Sequence, residues 1–156
     1  MHLIHDQIKA EIDETRFNEL CSAVVSLDKS ILFCALAQKS GYLITIATNQ
    51  NNEHDGRSIS APRNEVMQQH LSDAEIARYA FHTGIMCGLH KFWERKLGSI
   101  QHFVSHYDEM PLVTIFLGDG HFLLMGIDSA KQHGIDRIVT QKIIPFLRKG
   151  TAVIQK

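Results

Sequence analysis

Apolar residues recur at spacings of mostly three and four from about Asp6 to Leu27, through Ile8, Ile12, Phe17, Leu20, Cys21, Val24 and Leu27. This pattern predicts an amphipathic helix, with Thr15 placed to cap a break within it. Ile31 to Ala37 is apolar on both alternating faces, which suits a strand buried on both sides. Lys39-Ser40-Gly41 supplies a short turn, and Tyr42 to Thr48 returns as a second strand. So tight a connection makes the pair an antiparallel hairpin, because a parallel pair needs a crossover of about a dozen residues. Asn49 to Arg57 has nothing to bury, and Ser60-Ala61-Pro62 extends the irregular stretch. Residues 49–70 are therefore expected to form a mobile loop. It does not divide the chain, since the segments on either side are each too short to close a core alone.

Helix chemistry resumes at Ser72-Asp73-Ala74-Glu75, a capping box with Leu71 and Ile76 placed as a hydrophobic staple. The helix is expected to reach about Leu97 and stop at Gly98, with Lys91, Arg95 and Lys96 near its negative end. Three strands follow, Ser99 to Tyr107, Leu112 to Leu117 and His121 to Ile127, joined by turns at Asp108-Glu109-Met110-Pro111 and Gly118-Asp119-Gly120. Asp128 or Ser129 opens a closing helix striped by Ile135, Ile138, Val139, Ile143, Phe146 and Leu147. It is expected to end before Gly150, with its last turns kinked at Pro145. The order α-β-β-α-β-β-β-α predicts an α+β fold, a single five-stranded antiparallel sheet covered by helices.

The middle helix is apolar twice. One stripe runs through Ile76, Ala80, Thr83, Cys87 and His90, and a second through Phe81, Ile85, Leu89 and Phe92. One sheet can cover only one of them. Ala80, Gly84 and Gly88 lie four apart, although a mid-helix glycine costs about 1 kcal/mol relative to alanine. Small residues at this spacing let another backbone approach closely. The expected outcome is a homodimer in which the helix meets its two-fold mate through Ala80, Phe81, Gly84, Ile85, Gly88 and Trp93. The alternative is that the N-terminal or C-terminal helix of the same chain covers the second stripe.

Composition narrows the classes of function. The 156 residues are 44% hydrophobic and 21% charged with a formal net charge of -1, which argues against disorder and against a broadly basic nucleic-acid binder. Cys21, Cys34 and Cys87 lack CxxC spacing, so neither a disulfide framework nor a cysteine zinc site is indicated, and a reducing, cytoplasmic setting fits best. The first residues carry no basic start followed by an apolar stretch, and no uncharged run is long enough to span a bilayer. No membrane partner is expected.

The order of elements, with Leu20-Cys21, Leu27-Asp28, Ile31-Leu32-Phe33 and Gly41 in the first helix and hairpin, Leu97-Gly98 before the meander and Ile143-Ile144-Pro145 near the end, resembles the roadblock/dynein light-chain domain among the profilin-like folds. The resemblance spans nearly the whole chain, and the first half is also similar to a group of uncharacterised small archaeal proteins. It departs from the roadblock pattern in a longer Asn-rich loop and an earlier start to the first helix. The resemblance implies homo- or heterodimerisation and a platform for small GTPases or larger assemblies. It is an analogy of architecture and carries no chemistry by itself.

Ten histidines invite a metal hypothesis, which geometry opposes. His102 and His106 share a strand face but stand about 13 Å apart, and His82 and His90 are separated by about 12 Å of helical rise. Two ligands of one zinc cannot be so distant. His2 and His5 sit at a terminus with no third ligand. Only ligation across elements, such as His90 with His102, stays open. The three cysteines fall on apolar stripes, where cysteine acts as a small buried hydrophobe. Asp108 and Glu109 are adjacent in a turn and are expected to diverge into water. No GxxxxGK[ST], GxGxxG or HExxH pattern occurs. Lys91, Trp93, Arg95 and Lys96 form a basic and aromatic cluster that is expected to complement the helix end with its Lys and Arg while Trp93 packs, the alternative being that it stacks on or pairs with an anionic partner. The leading expectation is a non-catalytic interaction platform with no cofactor and no metal. A small-ligand sensor using a pocket around His90, His102 and Tyr107 is the alternative, and an unrecognised enzyme ranks last.

Overall fold

A computed structural model describes residues 15–49, 71–118, 120–128 and 134–154, and all five expected strands lie within them. β1 (Ile31–Gln38) and β2 (Leu43–Thr48) form the antiparallel hairpin, with Cys34 opposite Ala47 and Leu36 opposite Thr45. In its turn the Gly41 N–H donates to the Gln38 carbonyl at 2.8 Å. Gly41 has φ 90, a conformation that side chains with a Cβ resist. β3 (His102–Ser105), β4 (Leu112–Gly118) and β5 (His121–Ile127) make the meander. β5 then returns to pair antiparallel with β1, giving the order β2-β1-β5-β4-β3. The two most apolar strands thus occupy the interior of the sheet, which is what burial on both faces requires.

β3 is shorter than the expected Ser99 to Tyr107. It pairs with β4 alone, from His102 opposite Ile115 to Ser105 opposite Leu112, and lies at the sheet's edge. One further bond, from the Phe116 N–H to the Gln101 carbonyl at 3.0 Å, continues toward β4's end.

The first helix, α1, covers residues 15–25, stopping short of Leu27. Its expected stretch before residue 15 lies outside the described residues, and Thr15, expected to cap a break, is the first described residue of the helix. α2 (Asp73–Leu97) begins as expected, with Ser72 Oγ accepting from the Glu75 N–H at 3.2 Å and Leu71 packed against the cluster that holds Ile76. It ends at Gly98, whose φ is 85 and whose N–H donates to the Glu94 carbonyl.

The closing helix comprises α3 (Ile135–Ile138), a π-helical turn (Val139–Ile143) and α4 (Ile144–Ile154). Ahead of Pro145, which has no N–H to give, the Ile144 N–H donates five residues back to the Val139 carbonyl, so the helix widens by one residue there. The expected stop before Gly150 is corrected: the helix continues through it to Ile154. Glycine weakens a helix interior by about 1 kcal/mol but ends one only where the backbone turns left-handed, as at Gly98.

The helices divide between the two faces of the sheet. Cys21, Val24 and Val25 of α1 join Ile135, Val139, Ile143 and Leu147 of the closing helix over Cys34, Leu36, Leu123 and Met125. On the other face Ile76 and Ala80 of α2 pack over Phe33, Ala35, Phe122 and Leu124. Each large side chain so enclosed contributes about 1.5–3 kcal/mol. The Thr45 hydroxyl of β2 donates to Asn18 Oδ1 of α1.

Asn49 corrects the near end of the expected loop. It is 5% exposed, and its side-chain amide donates to the Ile31 carbonyl at 3.1 Å while its N–H donates to the Leu32 carbonyl. Asn49 therefore fastens the end of β2 to the start of β1. Residues 50–70 lie outside the described residues.

Lys142 of the π-helical turn reaches Asp28 Oδ2 at 2.6 Å, and Ser30 donates to Oδ1 from both its N–H and its hydroxyl. Burial pushes the Asp28 carboxyl up, but Lys142 and Ser30 together outweigh it and hold the carboxyl at about 2, against an ordinary value of 3.8. A depressed folded-state value adds stability above the unfolded value and loses it as pH falls toward the folded one. Asp28→Asn is expected to flatten the acid limb of thermal stability between about pH 4 and 2. The effect at neutral pH is about 1 kcal/mol or less because the Lys142 ammonium is half exposed to solvent. Melting curves across that pH range check both points.

Candidate interaction face of the central helix

α2 buries Ile76, Ala80, Thr83 and Cys87 of the first predicted stripe against the sheet, while His90, its last member, is half-buried. The second stripe faces outward. Phe81 is 57% exposed, Ile85 52%, Leu89 63% and Phe92 74%, and Trp93 and Leu97 are exposed beside them. Among the described residues α1 and the closing helix pack on the opposite face of the sheet, and neither covers this stripe. The Trp93 ring stands edge-on to Phe92 with centroids 5.5 Å apart, a contact within the exposed face rather than a seat in the core. Arg95 and Lys96 occupy the last turn, where they complement the helix dipole.

Two residues expected at a dimer contact are engaged inside the chain. Ala80 is wholly enclosed by the α2-facing core. A Cβ on Gly84 would stand 2.2 Å from the Lys39 carbonyl oxygen and 3.4 Å from the Gly41 nitrogen, so this glycine lets α2 lie directly on the β1–β2 turn. Gly88 differs, since a Cβ there meets nothing within 4 Å. The outward surface consists of Phe81, Ile85, Gly88, Leu89, Phe92 and Trp93. Leu89 and Phe92 belong to the stripe read from the sequence. Leu97, at the helix end, was outside it because periodicity alone does not say where the sheet stops covering a helix.

His90, His102 and Tyr107 do not converge. The His90 ring lies 6.2 Å from Phe103, on the α2 side. His102, one residue earlier in β3 and paired with Ile115, points to the opposite face by the alternation of a strand. Its Nδ1 is buried without a hydrogen-bond partner among the described residues. Tyr107 is exposed beside Tyr79, whose hydroxyl meets Ser105 Oγ at 3.1 Å. Burial holds the Tyr79 phenol above its ordinary value, Ser105 opposes and Tyr107 adds. The expected pocket around these three is therefore corrected: the sheet separates His102 from His90.

Cys21 and Cys34 are fully enclosed. Burial holds the Cys34 thiol well above its ordinary value, with Cys21 alongside adding to the effect. Burial also raises Cys87, against the pull of Lys39 and Lys91. Among the described residues no three His, Cys, Asp or Glu side chains gather to hold a metal ion, and no helix is long and apolar enough to cross a membrane. A cavity of ≈ 540 Å³ does lie elsewhere, at the sheet corner where β4 outlasts β3, between the C-terminal part of α2 and the start of α4. Sequence spacing gave no sign of it, because Lys39, His121 and Arg148 meet there only through the β1–β5 pairing and the closing helix.

No protein-family profile matches the chain, and no curated protein matches it. Solved structures do. MglB of Myxococcus xanthus superposes with a TM-score of 0.61 at 15% identity, covering 91% of this chain and 90% of its own. A Roadblock/LC7 domain from Streptomyces avermitilis gives 0.55 at 12% identity, covering 89% of this chain and 98% of its own. A structure described as MglB with a tetrameric arrangement gives 0.52 at 14% identity, covering 79% and 82%. The fold is that of the Roadblock/LC7 domain structures, as the order of elements implied.

Proposed function

We propose that this chain, a protein with the Roadblock/LC7 fold, works as a non-catalytic, dimeric docking platform whose contact surface is the outer face of α2. The observation that carries the reading is the exposure of Phe81, Ile85, Leu89 and Phe92 as one continuous stripe on a helix whose other side is buried. Isolated exposed apolar residues are ordinary, but a contiguous stripe of this kind marks a surface that another chain covers. Gly88, open to solvent within the stripe, leaves room for a second helix backbone to come close. A copy of the same chain related by a two-fold axis is the simplest occupant, and the tetrameric arrangement described for one MglB structure is in keeping with assembly of this fold. A small GTPase is the partner class that the roadblock resemblance implies for such a platform.

Sedimentation equilibrium tests the reading. The wild type is expected to sediment as a dimer. Phe81→Glu combined with Leu89→Glu should give a monomer with an unchanged circular dichroism spectrum, since both side chains are already solvated in the single chain. Gly88→Leu, a better helix former that fills the gap, is expected to weaken the dimer at least about tenfold. A wild type that stays monomeric at all concentrations ends the reading. Titration with a small GTPase from the same cell, loaded with GDP or GTP, tests the partner class.

A further inference from the structure

The cavity at the sheet corner has a composition unlike the rest of the molecule. Its ≈ 540 Å³ falls within the range of about 300–1,000 Å³ typical of small-molecule sites. Ile115, Ile144 and Leu147 line it from the core side, while Lys39, Lys91 and Arg148 stand around it with Glu94 as the carboxylate among them. Among the described lining residues the two lysines, Lys39 and Lys91, outnumber the carboxylate Glu94, whereas the chain as a whole carries a net charge of -1. Lys39 and Lys91 come from separate elements, the hairpin turn and α2, and both line the cavity together with Cys87 and Glu94. Low-dielectric walls strengthen the attraction of such a cluster for an anion, and the apolar lining favours a ligand with a hydrocarbon body.

We infer that this corner cavity binds a small amphipathic anion, a carboxylate or phosphate monoester carrying an apolar chain, with the head group at Lys39 and Lys91 and the chain against Ile115, Ile144 and Leu147. The site is separate from the outer face of α2: Cys87 and Lys91 border the cavity, whereas Phe81, Ile85 and Leu89 do not. It therefore stands or falls independently of the platform reading.

Isothermal titration with dodecanoate, kept below its micelle concentration, tests the inference. Dodecanoate and dodecyl phosphate are expected to bind, and their ranking shows which head group the site takes. Acetate, a head without a chain, and dodecyltrimethylammonium, a chain with the wrong charge, are expected not to bind. Lys39→Glu with Lys91→Glu should weaken dodecanoate about tenfold or more, with Lys91→Ala intermediate and folded whatever the double variant does. Phe81→Ser with Leu89→Ser should leave the affinity unchanged. The inference is overturned if dodecanoate does not bind, if the cationic amphiphile binds equally well, if Lys91→Ala has no effect, or if binding disappears in the Phe81/Leu89 variant, which would place the chain on the outer face of α2.

Discussion

Gly84→Ala is expected to destabilise the fold by about 1–3 kcal/mol, although alanine is the better helix former by about 1 kcal/mol. The added methyl would stand 2.2 Å from the Lys39 carbonyl oxygen and 3.4 Å from the Gly41 nitrogen, and both are backbone atoms that no rotamer change can move aside. Across the same contact, a Cβ on Gly41 would meet the Phe81 backbone at 2.5 Å. The helix and the hairpin turn therefore touch main chain to main chain. Gly88→Ala provides the control. With nothing within 4 Å of the new methyl, it is expected to gain up to about 1 kcal/mol of helix propensity. Urea unfolding of both variants in the Phe81→Glu/Leu89→Glu background, where the outer face carries no partner, separates the intrachain cost from any effect on assembly. Responses of opposite sign at two glycines four residues apart are the signature of a helix seated on one side only.

That contrast also shows what a linear pattern can and cannot reveal. The two stripes of α2 were legible because helical period is local: Ile76, Ala80, Thr83 and Cys87 repeat within one segment, and the sheet buries them as expected. The capping serine and the stop at Gly98 were legible for the same reason. Gly84 was not, since its role depends on a turn more than forty positions away, and the same small-residue spacing serves equally well for an approach within the chain or between chains. The β1–β5 pairing, which brings Lys39 to Gly120 through a hydrogen bond of 2.7 Å, is likewise non-local. The corner cavity follows from it. His90 and His102 failed as a pair because strand parity, fixed by where β3 actually begins to pair, puts neighbouring residues on opposite faces.

Phe33→Ala is expected to cost more than any other change considered, about 3–5 kcal/mol, because the ring is 1% exposed and fills the space above a glycine on the neighbouring strand. Phe33 pairs with Gly126 in the β1–β5 ladder, and a Cβ on Gly126 would meet Phe33 Cε1 at 2.4 Å and Met110 Sδ at 2.7 Å. Gly126→Ala alone should therefore cost about 1–3 kcal/mol by overpacking. The two changes should not add. Once the ring is gone, the Gly126→Ala methyl enters vacated volume, so the double variant is expected to be clearly more stable than the sum of the single losses and close to Phe33→Ala itself. A double-mutant cycle by urea unfolding measures this coupling. The consequence reaches the outer surface, since Phe33 lies in the cluster that seats Ile76 and Ala80 of α2. A helix whose seat is hollowed cannot hold Phe81 and Leu89 at a set angle to a partner, so Phe33→Ala should weaken self-association as well as folding. Strict additivity would instead mean that Met110, and not the Phe33 ring, limits the space over Gly126.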